Sequence, residues 1–372
     1  MPSLSRVAKI ARGVAIGTAI LIIGLVAVFA IRVEEWRTGD QGLSPLQYTP
    51  GQAEAGSRRL WIDTDAACGA SDRTDPDDCF AIALLGHQTD LHIIGISTVF
   101  GNASREVVDH TIQELADTLS ADVGQKISAY TGSPAALDSQ APRTRLPAHQ
   151  ALILALEAGP LTIVALGPLT NIATVLLERP DLRPRITQLV AVMGRRQGHI
   201  FHPAEGAGAG ILFGHGPVFR DLNFMLDVNA VAQIIGMHVA TTLIPYDAAR
   251  GVEITHHDLD RMTASGGAVS WVADRARGWL RYWQEEIGRQ GFFPFDLLAA
   301  AYVMAPHHFG CAEVQTWVGN DSTLFIPFWR PTALLVSQNS DGIEQSDTVT
   351  SASYCGKVSA DLKALVIDRL IS

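Results

Sequence analysis

Positive charge is scarce in this chain. Lys and Arg total 28 against 38 Asp and Glu, a net charge of −10, and Lys9, Lys126, Lys357 and Lys363 are its only lysines. Gripping nucleic acid through its phosphates takes basic patches, so nucleic acid is excluded as a partner. Cysteine is rare as well: four residues are too few for a disulfide scaffold and show no zinc spacing. No internal repeat is present. What remains is an apolar chain of 372 residues, 47% hydrophobic and 18% charged, enough for one large α/β domain or two ordinary ones.

The amino terminus stands apart. Arg6, Lys9 and Arg12 precede an apolar run from Gly13 to Val33 broken only by Thr18 and Arg32. Crossing a bilayer takes about 20 such residues. Basic residues in front of the run keep the N-terminus cytoplasmic and place the rest outside, in a bacterial periplasm. Residues 1–33 therefore read as a cytoplasmic stub and single-pass anchor, 34–59 as a polar linker, and 60–372 as the catalytic domain. A signal peptide cleaved after Val28-Phe29-Ala30, giving a secreted protein, is the competing reading. Outside the cytoplasm disulfides are permitted. Cys68 with Cys79, and Cys311 with Cys355, are then candidate pairs, with free buried thiols as the alternative.

From Leu60 onward short apolar runs alternate with helical patterns. Strands are expected at Leu60–Ile62, Leu91–Val99, Ile127–Tyr130, Leu161–Leu166, Ile186–Met193 and Ala240–Pro245. Helices are expected at Asp78–His87, Ser104–Ser120, Ala148–Ala158, Asn171–Leu177, Asn229–Gly236, Phe295–Met304 and Val358–Ile371, and paired strands within Trp317–Val336. Continuous apolar strands separated by helices indicate a largely parallel, Rossmann-like open sheet covered on both faces. The aromatic stripe of Trp271–Gly288 reads as core or subunit contact, which leaves homo-oligomerisation open, with room for one ring to reach a ligand. His199–Gly216, rich in glycine, reads as a loop beside the site.

One stretch is chemically dense. Leu60–Leu85 carries Asp63 and Asp65 at a strand end, then Asp72, Asp75, Asp77 and Asp78 before an apolar helix. Oxygen-rich clusters suit hard divalent cations. A solvated loop with Asp75 or Asp77 as helix cap accounts for only one or two of these residues. In open α/β sheets ligands bind beyond the carboxyl ends of the strands. Asn102, the Gly167-Pro168-Leu169-Thr170-Asn171 turn and Met193-Gly194 fall at such ends too.

Taken in order, these motifs resemble the nucleoside hydrolases, the inosine–uridine-preferring N-ribohydrolases. The resemblance rests on Asp63-Thr64-Asp65 with Asp77-Asp78, Thr98-Val99-Phe100-Gly101-Asn102-Ala103, Ala165 through Ala173, Val192-Met193-Gly194, Asp221-Leu222-Asn223, and Phe295-Asp296, spanning about Leu60 to Pro306. It implies a nucleoside hydrolase-like fold and hydrolysis of ribonucleosides to ribose and free base, as in purine and pyrimidine salvage. It implies one Ca2+ held by Asp65, Asp78, Asp296 and the Leu166 carbonyl, with Asp77 as general base for the attacking water. Asp63 would support its neighbours from behind, while Asn102, Asp221 and Asn223 would bind ribose hydroxyls or the 5′ group. Such a site suits an oxocarbenium-like sugar attacked by water.

Three departures from the family pattern stand out. The segment between Asp65 and Asp77 is expanded, so Asp72 or Asp75 competes with Asp77 as the true partner. Phe295 occupies the place of a histidine that protonates the leaving base in some members; His199, His202 and His215 are the substitutes, His215 foremost. Arg220-Asp221 replaces an Ala-Glu pair, which shortens a reach toward the 5′ end. The alternative function is metal and ribose binding, or hydrolysis of another N-ribosyl compound, without ordinary nucleoside turnover. A phosphatase using an aspartate nucleophile, suggested by Asp63-Thr64-Asp65, is disfavoured by Ala67 and by the scarcity of lysine.

Overall fold

The computed structural model describes residues 4–37, 46–52, 59–138, 145–199, 221–321, 330–339, 343 and 348–372. Its centre is an 11-stranded mixed sheet. In chain order the strands that position the site are β1 (Thr49–Pro50), β2 (Arg59–Thr64), β3 (His92–Thr98), β4 (Ala129–Tyr130), β5 (Leu161–Ala165), β6 (Ile186–Ala191), β7 (Arg195–Arg196) and β8 (Thr241–Leu243). A separate two-stranded ribbon pairs β9 (Ile254–Thr255) with β10 (Gly291–Phe292). The sheet is completed by β11 (Phe309–Asn320), β12 (Thr332–Ser337) and β13 (Thr350–Val358). The spatial order is β4-β3-β2-β5-β6-β8-β13-β11-β12-β7. From β4 to β13 neighbours are parallel, and β11 runs antiparallel to β12 and β13.

The parallel half follows from side-chain chemistry. Leu60, Ile62, Ile163, Val164, Leu189 and Val190 are all fully buried, as strands covered on both faces require. One hydrophobic cluster packs α2 (Asp77–Gly86), α3 (Arg105–Val123) and α12 (Phe295–Met304) on one face; the other holds α4 (Pro147–Ala158), α5 (Thr170–Glu178) and α7 (Val228–Gly236). After β2 the chain adds β3 on one side, and later β5 on the other. The order reverses there, which is where open α/β sheets bind ligands. Asp63 and Asp65 stand at that reversal.

The expected helices and parallel strands are present, with shifted ends. Ile127–Tyr130 shortens to β4 and Ala240–Pro245 to β8. Val358 belongs to β13 rather than to the last helix, which is α13 (Leu362–Ile371). Alternation of buried and exposed residues over Thr350–Val358 marks a strand with one covered face. The antiparallel pair expected within Trp317–Val336 is β11 with β12, joined through Gln315↔Ser337 to Asn320↔Thr332. After α8 (Tyr246–Ala249) and α9 (His256–Ser265), the aromatic stripe divides into α10 (Gly267–Arg275), α11 (Arg277–Tyr282) and a π-helical turn at Trp283–Ile287.

Part of the stretch read as linker is built into the sheet. Thr49 and Pro50 pair with Cys311 and Gly310, and Gly51 N–H donates to the Phe309 carbonyl at 2.7 Å. A Cβ at Gly51 would lie 2.3 Å from the Pro306 carbonyl oxygen, so the backbone approach needs glycine. The amino-terminal helix α1 spans Leu4–Arg37. Its side chains are described at residues 12–28, where Val14, Ile20, Leu21, Ile23 and Leu25 are exposed. Among the described residues no helix is long and apolar enough to cross a membrane, so the expected anchor is not established by the fold.

Both candidate cysteine pairs are disulfides, Cys68–Cys79 and Cys311–Cys355. The first ties the chain just after Asp65 to the first turn of α2. The second joins neighbouring strands β11 and β13.

Candidate active site

The helix α2 brings Asp77 and Asp78 to the carboxyl end of β2, and α12 brings Asp296. One carboxylate oxygen from each of these three buried residues lies within 4.8 Å of the others. Like charges at that separation repel by about 3 kcal/mol per pair at an effective dielectric near 20. Burial and repulsion from Asp77 and Asp78 raise the Asp296 carboxyl well above the usual range, and burial with repulsion from Asp77 raises Asp78 to about 7. Asp65 is raised by burial and by repulsion from Asp78, and Asp77 chiefly by burial. Such a set stays ionised only beside a cation.

Hydrogen bonds aim each carboxylate. Thr64 Oγ1 donates to Asp78 Oδ1. Asp296 N–H donates to Asp77 Oδ2 at 2.8 Å, and Asp78 N–H to Asp77 Oδ1 at 3.1 Å. Asp65 accepts from Asn102 N–H at 2.9 Å and from Asn102 Nδ2 at 3.3 Å, and the same Nδ2 lies 3.3 Å from Asp78 Oδ2. Gly101 makes this approach feasible: a Cβ there would fall 1.7 Å from Asp65 Oδ2. Asp296 Oδ1 is buried without a hydrogen-bond partner. An orphaned carboxylate oxygen among three other carboxylates fits a cation ligand, and the all-oxygen donor set fits a hard ion.

Asp63 sits behind this group. Its Oδ1 accepts from Asn171 Nδ2 at 2.7 Å and from Ser97 Oγ, while burial raises its pKa to about 7. Asn171 is itself clamped, donating to the Thr98 carbonyl at 2.9 Å and accepting from Ser133 N–H at 2.9 Å. The conspicuous Thr170-Asn171 pair therefore does not cap its helix, whose N-cap is Leu169 without a side-chain bond. Thr170 Oγ1 instead donates to Asp227 Oδ2 at 2.6 Å.

A cavity of about 490 Å³ opens over the acidic group, lined by Asp77, Asn102, Asp221, Asn223, Tyr246 and Asp296 among others. Asp221 caps α6 (Leu222–Leu226), accepting from Phe224 N–H at 3.2 Å, and also accepts from Gly194 N–H at 2.6 Å. Burial, partly offset by these backbone donors, raises its pKa to about 6. Asn223 Nδ2 donates to the Leu166 carbonyl at 2.7 Å and to the Val192 carbonyl at 3.1 Å. The Leu166 carbonyl is thus held by a residue that lines the cavity.

Asp72 and Asp75 are the residues that the expanded segment left competing with Asp77. Asp72 is at the surface, paired with Arg281. Asp75 lines the cavity, and its Oδ1 accepts from Asp77 N–H at 3.3 Å; burial and repulsion from Asp77 raise its pKa. Nothing in its spacing separated it from Asp72. Arg73, Tyr246 and Trp279 also line the cavity. Tyr246 stacks on Phe295 with centroids 6.0 Å apart. Of the candidate acids, His199 is buried against Asp247, Nδ1 to Oδ2 3.4 Å, behind Tyr246; His202 and His215 lie outside the described residues.

A carboxylate cluster able to hold a cation, at the reversal point of an open α/β sheet and under a pocket with aromatic walls, is the arrangement that metal-assisted hydrolases use. The family model described as inosine-uridine preferring nucleoside hydrolase matches residues 60–345. The chain belongs to this family, a metal-dependent family of N-ribohydrolase enzymes. It is similar to the pyrimidine-specific ribonucleoside hydrolase RihA of Citrobacter koseri, 26% identical over 232 residues that cover 61% of this chain and 69% of that one. The same enzyme of Escherichia coli K12 is 28% identical over 165 residues, 44% of this chain and 48% of the relative, so that match spans about half the relative's length. Among solved structures, a plant nucleoside hydrolase aligns with a TM-score of 0.65 at 17% identity, covering 84% of this chain and 99% of that one. A purine-preferring ribonucleoside hydrolase from Gardnerella vaginalis aligns at 0.60 and 18%, covering 84% and 98%. At such identities the structures establish the fold.

Proposed function

We propose that this chain hydrolyses the N-glycosidic bond of ribonucleosides, using Ca2+ held by Asp65, Asp78, Asp296 and the Leu166 carbonyl. The observation that carries this reading is the buried approach of Asp77, Asp78 and Asp296 within 4.8 Å. The ion supplies charge compensation and lowers the pKa of a bound water, and calcium suits a crowded carboxylate set better than magnesium, which demands strict octahedral geometry. Asp77 accepts a proton from the attacking water. Its orientation is held by the Asp296 and Asp78 backbone N–H groups. Asn102 keeps Asp65 and Asp78 apart yet aligned, and Asp63 braces the end of β2. Asn102, Asp221 and Asn223 face the sugar, while the Phe295–Tyr246 stack forms an apolar surface for a planar base.

The supporting test is ribose release from a panel of purine and pyrimidine ribonucleosides with calcium present. Asp77→Asn should lower turnover by at least about 10²-fold, the usual share of a general base, while calcium still binds. An inactive wild type across the panel would end this reading.

We further propose that α1 anchors the domain outside the cytoplasm. The apolar run in α1 and the two disulfides support this, since disulfides persist in oxidising compartments.

A further inference from the structure

The expanded segment between Asp65 and Asp77 is a folded excursion rather than slack. Cys68–Cys79 closes its base, Asp72 pairs with Arg281, and Arg73 pairs with Glu286. The effect is to lay Arg73, Thr74 and Asp75 along the cavity wall. Among the described residues Arg73 is the one cationic side chain in that lining, and no histidine lines it. The guanidinium carbon lies 5.3 Å from the centre of the Tyr282 ring, on the same wall as Trp279 and close in sequence to Asp75, whose carboxylate holds the Asp77 backbone. The side chain is 66% exposed at the mouth, where its Nη2 donates to Glu286 Oε1 and its other N–H groups face solvent and the cavity.

We propose that Arg73 stabilises the departing base of a ribonucleoside, donating hydrogen bonds to its acceptor edge as the C1′–N bond breaks. This rests on the hydrolase reading above. The electron pair of the breaking bond passes to the base, the water oxygen bonds to C1′, and the water proton goes to Asp77. Arg73 donates hydrogen bonds rather than a proton, so the base leaves as a hydrogen-bonded anion and takes its proton from solvent. A planar fork of N–H donors suits a base with adjacent ring-nitrogen and carbonyl acceptors. Phe295, which has no proton to give, then needs no histidine substitute.

The experiment compares uridine and inosine, whose bases leave poorly, with 4-nitrophenyl riboside, whose phenolate leaves unaided. Arg73→Ala in the full chain should lower kcat on both nucleosides by on the order of 10²-fold, as loss of a preorganised donor does, and leave the nitrophenyl substrate within about twofold. Arg73→Lys should recover part of the loss. A misfolded variant would lower all three substrates together, so equal losses, or none, overturn the assignment. If wild-type protein cleaves none of the three, the hydrolase reading falls and Arg73 with it; if wild type is active and the variant unselective, Arg73 alone falls.

Discussion

Asp63, Asp78 and Asp221 are buried carboxyls raised to about 7, 7 and 6, above the ordinary value near 4. A group raised on folding binds more protons folded than unfolded between those limits. Its stabilising contribution is complete below pH ~4 and is lost as pH climbs through ~7. Without a bound cation, raising the pH across that window should therefore lower the melting temperature, and calcium should restore it most at the alkaline end because binding needs deprotonated ligands. Melting curves in chelator and in calcium at several pH values check this; a calcium effect greatest at acid pH would contradict it. Asp247 works oppositely: His199 and Arg196 beside it hold it low, so its contribution is lost only as pH falls.

At this scale the sequence was legible where chemistry and position coincided. Asp63, Asp65 and Asp78 could be read because a strand end or helix start is visible in apolar patterning. Asp75, Arg73 and Tyr246 could not, since their roles depend on how an eleven-residue excursion folds and on which helix packs across it. Asp221 was read as a sugar contact; the structure shows a helix cap that also holds Gly194, a double duty no spacing reveals.

Among the elements, α2 and the Cys68–Cys79 bond form one device. The bond spans 11 residues, and closing so short a loop limits the unfolded chain by about 3 kcal/mol in the chain-entropy account. Its larger consequence is local, because it fixes the start of α2 relative to Asp65. Replacing both Cys68 and Cys79 by Ala should weaken calcium binding on the order of tenfold, about 1.4 kcal/mol. Replacing Cys311 and Cys355, which close 44 residues away from the site, should lower the melting temperature and leave calcium affinity unchanged. Calorimetric titration of both variants decides; equal affinity losses would remove the positioning role. Strands β2, β3, β5 and β6 were readable because residues buried on both faces leave continuous apolar runs. The short β7, and the pairing of Thr49–Pro50 with β11, are set by tertiary contacts that leave no local period.

Over the whole molecule, the parallel half of the sheet carries the chemistry and the antiparallel half, stapled by Cys311–Cys355, closes the far side. The apolar helix α1 stands outside both. If it anchors the chain, the full protein should sediment with membranes, and a chain beginning at Arg59 should not. The central claim concerns the acidic cluster: Asp65, Asp77, Asp78 and Asp296, gathered at one sheet reversal, make a cation-dependent ribohydrolase site. Its most direct measurement is ribose release from uridine and inosine by the full chain after exhaustive chelation, then with calcium or magnesium restored. The account predicts turnover that vanishes with the ion, returns with calcium and returns less with magnesium. Turnover that survives chelation undiminished would contradict it.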